Sequence, residues 1–325
     1  MTRSKLLLVA VAVSIGCLSS LPALAQTQKF RGINWADPNG NEEKSTPVQP
    51  SGLSTSMSTS AAAAKATAII NAVIASKGTT VRMPITYSTT SSSSYWPVYQ
   101  AAINAIVSRG GFVFLAWWSP SGGRVNNSTQ WYAMWDKVDS VYRNNFNVRY
   151  EPINEPYGYS TTDLNNLYAN IVNRYGNPYH KFILDGTGYA TGVANVGNDP
   201  RFWNQLFALH TYHWFWGVSD IGNWYAYYSV LPPVVGPYAS RTVITEMGVQ
   251  QVGRNVDFWW HWEQGTPQDV SYLTGTCAYV RDNQMGSINW SGVNDVDLYR
   301  WYWSNSNLTE VRADVPGMFR WSWWQ

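Results

Sequence analysis

The chain is poor in charged residues and in cysteine, and each shortage excludes a class of partner or of structure. Only 13% of its 325 residues are charged, and without Arg3 and Lys5 the basic residues equal the 20 acidic residues in number. A neutral protein does not attract a polyanion, so nucleic acid is not an expected partner. Cys277 is the single cysteine after residue 25, so residues 26–325 form no disulfide with one another.

Long apolar runs are also missing after the first 25 residues, so a membrane is not an expected partner. Within those 25 residues, Arg3 and Lys5 precede an apolar run at 6–17, and Ala23-Leu24-Ala25 closes the segment. A basic start, a short hydrophobic centre and an Ala-x-Ala site describe a secretory signal peptide. We therefore expect residues 1–25 to be cleaved and the protein to be secreted or periplasmic.

Aromatic residues, by contrast, are abundant: the chain contains 19 Trp and 21 Tyr. Several Trp fall in predicted loops or at the strand end that leads into one, among them Trp117, Trp118 and Trp214. Sugar rings have apolar C–H faces that lie flat on an indole, so exposed Trp favours an uncharged polysaccharide or oligosaccharide as the partner. Burial is the alternative for each ring, because Trp is also a large core residue.

Strand-like and helix-like segments alternate along the chain. Eight short and mostly apolar segments have strand character: 30–35, 79–83, 111–117, 148–153, 181–185, 207–212, 242–246 and 286–290. Continuous apolar strands that alternate with helices indicate a parallel sheet covered on its outside. Eight such units in about 300 residues predict an α/β fold, a single (β/α)8 TIM barrel. The rival, a doubly wound open sheet, lacks its Gly-x-Gly-x-x-Gly turn after the first strand.

Two glutamates stand where predicted strands give way to loops. Asn154-Glu155-Pro156 follows the fourth strand, which we expect Pro156 to end because proline has no N–H, and Glu246 ends the seventh. All strands of a barrel open on one face at their carboxyl ends, so Glu155 and Glu246 should share a cleft. Cleavage of a glycosidic bond needs two carboxylates, one to protonate the leaving oxygen and one to stabilise or trap the sugar cation.

These segments resemble glycoside hydrolase family 5, the cellulase family, in the clan of barrel-type retaining glycosidases. The motifs that carry the resemblance are Val81-Arg82-Met83-Pro84, Asn154-Glu155-Pro156, His210-Thr211-Tyr212, Thr245-Glu246-Met247-Gly248 and Trp290. The resemblance implies a catalytic domain over residues 26–325, with Glu155 as acid/base and Glu246 as nucleophile. It also implies that Asn154 holds the 2-hydroxyl of the sugar and that Trp290 forms a platform under the sugar at the cleavage point.

Further binding residues are predicted around this pair. Arg82 should lie beside Glu246 and keep it ionised by a charge-assisted hydrogen bond. The hydroxyl of Tyr212 should orient the same carboxylate, and His210 completes the sixth-strand motif. Candidates for the subsites that flank the cleavage point are the three tryptophans Trp117, Trp118 and Trp214.

The substrate is less well defined. After the third strand the family carries a His, whereas this chain has Ala116-Trp117-Trp118-Ser119-Pro120, which is similar to a sister family that contains glucuronoxylanases. We predict a secreted, monomeric, retaining endo-β-glycanase that acts on a β-1,4-linked polysaccharide of the cellulose or β-glucan type. The alternatives are a β-mannanase or xylanase with the same machinery, and a non-catalytic polysaccharide-binding protein.

Cofactor and metal motifs are not evident. The chain has no Gly-rich phosphate loop and no Gly-x-Ser-x-Gly elbow, and its four His lack metal-ligand spacing. Asp37, Asn39 and Asn41 alternate like calcium ligands, but Glu42 stands where an EF-hand loop needs Gly. We therefore expect neither a cofactor nor a metal.

Overall fold

The computed structural model describes residues 27–120, 122–176 and 181–323, so the predicted signal peptide lies outside the described residues. Eight parallel strands form one sheet in the order β4-β3-β2-β1-β8-β7-β6-β5. The strands are β1 Arg31–Trp35, β2 Thr80–Pro84, β3 Phe112–Ala116, β4 Val148–Glu151, β5 Ile183–Asp185, β6 Leu206–His210, β7 Thr242–Met247 and β8 Gly286–Val293. A parallel bridge between Tyr150 and Phe182 joins the two ends of the sheet. The predicted (β/α)8 barrel is confirmed.

Helices connect the strands and cover the sheet. They are α1 Thr59–Ala75, α2 Tyr87–Ser91, α3 Trp96–Ser108, α4 Ser128–Tyr142, α5 Thr161–Arg174, α6 Thr187–Ala190, α7 Val193–Gly197, α8 Trp224–Ser229, α9 Leu231–Val235, α10 Gln268–Asp282 and α11 Asp314–Ser322. Short 3-10 turns occupy Thr27–Lys29, Pro200–Phe202 and Gly236–Arg241. None of the helices in the described ranges combines the length and the apolar character needed to cross a membrane.

The strands divide their side chains between the helices and the barrel interior. In β2, Val81 and Met83 belong to the large hydrophobic cluster under the helices, whereas Arg82 between them points inward, as the two-residue period of a strand requires. A smaller apolar cluster fills the interior near the amino ends of the strands: Phe30, Phe114, Ile183, Leu206, Ala208, Val243 and Ile288. The inward-facing polar residues therefore collect above this cluster, towards the carboxyl ends.

The fourth strand ends earlier than predicted. It stops at Glu151 rather than at Ile153, because Pro152 supplies no N–H to continue the ladder. The prediction that Pro156 ends the fourth strand is therefore wrong. The N–H of Asn154 nevertheless donates to the carbonyl of Trp117 at 2.7 Å, which keeps the residues beyond Pro152 at the rim of the barrel.

Composition alone predicts a loop for the serine-rich segment 88–94. The segment is partly helical, because α2 runs through its first residues. The hydroxyl of Thr86 accepts the N–H of Thr89 at 3.2 Å. The carboxylate of Glu43 accepts the N–H of Tyr87 at 2.6 Å. Acceptors outside the segment thus satisfy the first amides of the helix.

Candidate active site

A cavity of about 500 Å³ opens at the carboxyl ends of the strands. It is lined by Glu155, Tyr189, Tyr212, Trp214, Phe215, Glu246, Trp290, Asp297 and Tyr299. Both predicted catalytic carboxylates thus face one space, together with six aromatic side chains. A cleft with two carboxylates and apolar ring faces matches the chemistry that glycoside cleavage requires.

The floor beneath the cavity is organised by Arg82, which is fully buried. Its Nε donates to Glu151 at 2.8 Å and one Nη2 hydrogen also binds Glu151, so this pair is bidentate. Nη1 donates to Glu246 at 2.6 Å and to Asn34 at 2.9 Å. The remaining Nη2 hydrogen donates to Asn154 at 2.7 Å. All five guanidinium N–H groups are therefore used, which fixes the side chain completely.

Glu246 is held by two donors, as the sequence predicts. Arg82 binds one of its oxygens, and the hydroxyl of Tyr212 donates to the other at 3.0 Å. Burial raises the pKa of Glu246, while the neighbouring His210 and Arg82 act in the opposite direction. Arg82 is shared with Glu151, so it compensates two buried carboxylates rather than one. The second anionic partner of Arg82, Glu151, was not predicted from the sequence.

Glu155 is held by its backbone as well as by its side chain. Its φ is 49°, a left-handed value that is uncommon for a residue with a Cβ. Its N–H donates to the carboxylate of Asp185 at 3.0 Å, and its Oε1 lies 2.9 Å from Nδ1 of His210. One oxygen of Glu155, one oxygen of Glu246 and a nitrogen of His210 lie within 4.8 Å of one another.

Asp185, at the end of β5, is a second residue that sequence reasoning missed. It is fully buried, and burial and the negative charge of Glu151 raise its pKa well above the usual range. Its Oδ2 is 4.0 Å from Nε2 of His210. Within the described residues, that Nε2 and Oδ1 of Asp185 have no hydrogen-bond partner. Asp185 therefore supports Glu155 directly, by accepting the N–H of Glu155, and it also adjoins the far side of the His210 ring.

The signal for both missed acids was present in the sequence. Glu151 lies in a buried strand and Asp185 closes the next one. A charged residue in an apolar strand is rarely buried without a partner, and Arg82 is such a partner for Glu151. The same rule that selects Glu246 at a strand end also selects Asp185.

Of the four tryptophans predicted to bind sugar, two line the cavity, one lies over Arg82 and one is buried. Trp290 lines the same cavity as the two carboxylates, and Trp214 lines it with 54% of its surface exposed while it stacks on Tyr212 at 4.6 Å. Trp118 lies over the guanidinium of Arg82 at 4.5 Å, with its ring 6.4 Å from Trp290.

The prediction that Trp117 flanks the cleft is wrong. Only 4% of this residue is exposed, and its ring meets the buried Trp131 edge to face at 6.2 Å. Its indole N–H donates to Glu43 at 3.2 Å, so its polar edge is also satisfied inside the protein. Its neighbour Trp118 takes the place nearer the site because side chains alternate as β3 ends.

Two glycines permit the close approach of backbone at the rim. A Cβ on Gly248, the last residue of the seventh-strand motif, would lie 2.1 Å from the carbonyl oxygen of Trp290. A Cβ on Gly123 would lie 2.1 Å from the carbonyl oxygen of Glu155, and Gly123 has a φ of 72°. Only glycine fits either position, so both help to set where Trp290 and Glu155 stand.

The same polar groups have a spacing that could bind a cation. Glu151, Asp185 and His210 form one set within 4.8 Å, and Glu155, His210 and Glu246 form another. Arg82 already neutralises a carboxylate in each set, so a metal ion would meet a fixed positive charge at close range. We assign charge compensation in this site to Arg82.

The loop in which Asp37, Asn39 and Asn41 alternate like calcium ligands lies elsewhere. In this loop the carboxylate of Asp37 accepts backbone N–H groups.

An eight-stranded barrel with paired carboxylates at its carboxyl ends defines the class of barrel-type glycoside hydrolases. The model of glycosyl hydrolase family 5 (cellulase) matches residues 41–295, and the chain belongs to this family. No curated protein matches the chain in sequence.

Several solved structures share the fold. The catalytic domain of the major endoglucanase from Xanthomonas campestris pv. campestris has a TM-score of 0.64 and 15% identity, over 91% of this chain and 94% of that chain. XacCel5A in complex with cellopentaose has a TM-score of 0.61 and 13% identity, over 90% and 99%. A β-mannanase from Thermomonospora fusca has a TM-score of 0.52 and 17% identity, over 75% and 81%. At these identities the likeness establishes the barrel fold.

Proposed function

We propose that the protein is a secreted endo-β-glycanase that hydrolyses β-1,4-linked polysaccharide with retention of anomeric configuration. The observation that carries this proposal is the closeness of Glu155 and Glu246, each of which has an oxygen within 4.8 Å of the other. Retaining glycosidases place their carboxyl groups about 5–5.5 Å apart, whereas inverting enzymes separate them by about 6.5–9.5 Å to admit a water. The short spacing supports direct attack on the sugar.

In this mechanism Glu246 attacks the anomeric carbon while Glu155 gives its proton to the departing oxygen. The bond to the leaving group breaks and a glycosyl ester of Glu246 forms. Water then attacks the anomeric carbon, Glu155 takes a proton from the water, and the bond from that carbon to Glu246 breaks to release the carboxylate. The hydrogen bonds from Arg82 and Tyr212 support Glu246 as the nucleophile, because they orient both of its oxygens.

The ring faces of the cleft favour a neutral polysaccharide. Trp290 and Trp214 both line the cavity, and the large exposed surface of Trp214 supports its proposed role at a flanking sugar, beside Trp290 at the cleavage point. The shared fold includes proteins described as endoglucanase and as β-mannanase, so the fold alone does not select the sugar of the substrate backbone. The Ala-x-Ala signal segment supports export, with residues 26–325 as the catalytic domain.

Release of reducing ends from cellulose-type β-glucan, mannan and xylan tests the activity and the substrate together. We expect the highest rate on β-glucan, with the β-anomer formed first in proton NMR. Glu155→Gln with Glu246→Gln in one chain is the control, since it keeps the shape of the cleft without its chemistry. Higher activity on mannan or xylan would replace the proposed substrate. Binding without hydrolysis of any of the three would favour a polysaccharide-binding protein.

A further inference from the structure

Glu155 occupies a backbone conformation that a residue with a side chain does not favour. Its φ of 49° is left-handed, a region in which the Cβ crowds the following carbonyl. Such a conformation persists only where surrounding contacts hold it, and it occurs most often at functional sites. The contact that holds the main chain of Glu155 therefore helps to decide where its carboxyl group stands in the cleft.

That contact is made by Asp185, which is fully buried at the end of β5. Its Oδ2 accepts the N–H of Glu155 at 3.0 Å. The bridge between β4 and β5 joins Tyr150 to Phe182, several residues before Glu155 in the chain. The hydrogen bond to Asp185 is thus a further link between these two strands, nearer to the cleft.

A second contact indicates that Asp185 carries a proton. Its carboxyl group is hydrogen-bonded to that of Glu151, whose two oxygens both accept from Arg82. Two carboxyl groups form a hydrogen bond only if one of them is protonated, and Arg82 makes Glu151 the ionised member of the pair. Burial and the charge of Glu151 raise the pKa of Asp185, in agreement with this assignment. A protonated Asp185 can donate to Glu151 and still accept the N–H of Glu155.

Asp185 also adjoins the ring that meets the carboxyl group of Glu155. Nε2 of His210 is 4.0 Å from Oδ2 of Asp185, and Nδ1 of the same ring is 2.9 Å from Oε1 of Glu155. Glu246, by contrast, is oriented by two donors of its own. Loss of the Asp185 side chain should therefore disturb Glu155 more than Glu246.

We propose that Asp185 is a positioning residue for the acid/base, because by accepting the N–H of Glu155 it holds this glutamate where it can reach the oxygen of the leaving group. The inference rests on the proposed function and concerns only the steps that move a proton. In the first step Glu155 gives its proton to the leaving oxygen as the glycosidic bond breaks, and in the second it takes a proton from water. The attack by Glu246 on the anomeric carbon needs neither transfer.

Two aryl β-glycosides of one β-1,4-linked disaccharide separate this role from a structural one. Asp185→Ala removes the acceptor of the Glu155 N–H. On the phenyl glycoside, whose leaving oxygen needs a proton, kcat/KM should fall about tenfold or more, a part of the 10²–10⁴ that a general acid contributes. On the dinitrophenyl glycoside, which leaves without a proton, kcat/KM should stay within about twofold of wild type because it reports the steps up to the ester. There kcat and KM should fall together, since hydrolysis of the ester lacks a well-placed base.

Asp185→Asn is the conservative variant. Its amide oxygen can accept the N–H of Glu155 and its amide N–H can donate to Glu151, so it reproduces the protonated acid. It should keep the wild-type ratio of the two kcat/KM values. Asp185→Ser cannot reach the N–H of Glu155, and it should behave like Asp185→Ala if the alanine variant does not fold.

Asp139→Ala is the matched control. Asp139 is also a buried acid whose pKa is raised by burial, but it lies in α4, where it contacts Tyr150 and Arg143. Any loss of activity in this variant should be equal on the two glycosides, because it reflects folding alone.

Equal losses on the two glycosides with Asp185→Ala, no loss on either, or a loss with Asp185→Asn as large as with Asp185→Ala would overturn the assignment. A wild type that hydrolyses both glycosides while Asp185→Ala keeps the wild-type ratio would refute the positioning role and leave the proposed function intact. If the wild type hydrolyses neither glycoside, the proposed function itself fails and the role of Asp185 with it.

Discussion

Replacing Arg82 by methionine removes the counterion of two buried carboxylates. The five N–H groups of Arg82 are divided among Glu151, Glu246, Asn34 and Asn154, and the side chain is fully buried. Methionine fills part of the space but donates no hydrogen bond. Loss of one partner from a buried ion pair costs about 3–5 kcal/mol, so the free energy of unfolding at neutral pH should fall by at least this much.

The loss should depend on pH. Burial raises the pKa of Glu246 while Arg82 opposes the rise, so the variant has a higher folded-state pKa than the wild type. A carboxyl whose folded pKa exceeds its unfolded value of about 4.3 binds its proton more tightly in the folded state, so stability is gained as pH falls towards that value. The penalty of Arg82→Met should therefore be largest above pH 7 and smaller at pH 5.

Urea unfolding followed by tryptophan fluorescence at pH 5 and pH 8 measures both effects. Arg174→Met is the matched control, because Arg174 pairs with Asp136 at the surface, where both side chains are 48% exposed. Such a pair contributes about 0–1 kcal/mol. Adding Glu151→Met to Arg82→Met removes one unpaired charge and should recover part of the loss. A cost no larger than that of Arg174→Met, or one equal at the two pH values, would refute the reasoning.

Four further substitutions probe the site and the core beside it. Tyr212→Phe removes a 3.0 Å hydrogen bond to the proposed nucleophile, worth about 1.5–3 kcal/mol for a charged acceptor, so kcat should fall about 10- to 100-fold with little change in KM in steady-state assays. Because burial raises the pKa of Asp185, the wild type should lose stability relative to Asp185→Asn as pH rises above about 4, and equal slopes in urea unfolding would contradict this. Trp117→Ala should cost about 3–5 kcal/mol of stability, whereas Trp214→Ala, at a position 54% exposed, should cost about 1 kcal/mol at most and weaken polysaccharide binding. Unfolding and binding measurements on both variants separate these outcomes, and a stable Trp117→Ala protein would place that ring outside the core.

The barrel was predictable because strands buried on both faces leave continuous apolar runs, and those runs do not depend on distant contacts. The meeting of Glu155 and Glu246 followed from the topology alone, since parallel strands end on one face. The end of β4 was misplaced because two prolines compete there, and only the local pairing decides that Pro152 rather than Pro156 ends the strand.

Other features depend on three-dimensional detail. Trp117 and Trp118 are identical in type and adjacent in sequence, so only the direction of each side chain decides which one is buried. The choice of Glu151 as the bidentate partner of Arg82 is likewise set by geometry, although the presence of a buried acid could be inferred. The left-handed conformation of Tyr189 has no sequence signal, because tyrosine is not a residue that favours it.

Which carboxylate attacks the sugar is read most directly from the anomer that azide forms with two variants and an activated aryl β-glycoside. With Glu246→Gly no ester forms, and azide in the vacated space should give the α-glycosyl azide by one inversion. With Glu155→Ala the ester forms but lacks its base, a loss of about 10²–10⁴-fold on polysaccharide, and azide should give the β-glycosyl azide by two inversions. These products, identified by NMR, are the expected result. The opposite anomers would reverse the two roles, and unimpaired hydrolysis by either variant would remove that glutamate from the mechanism.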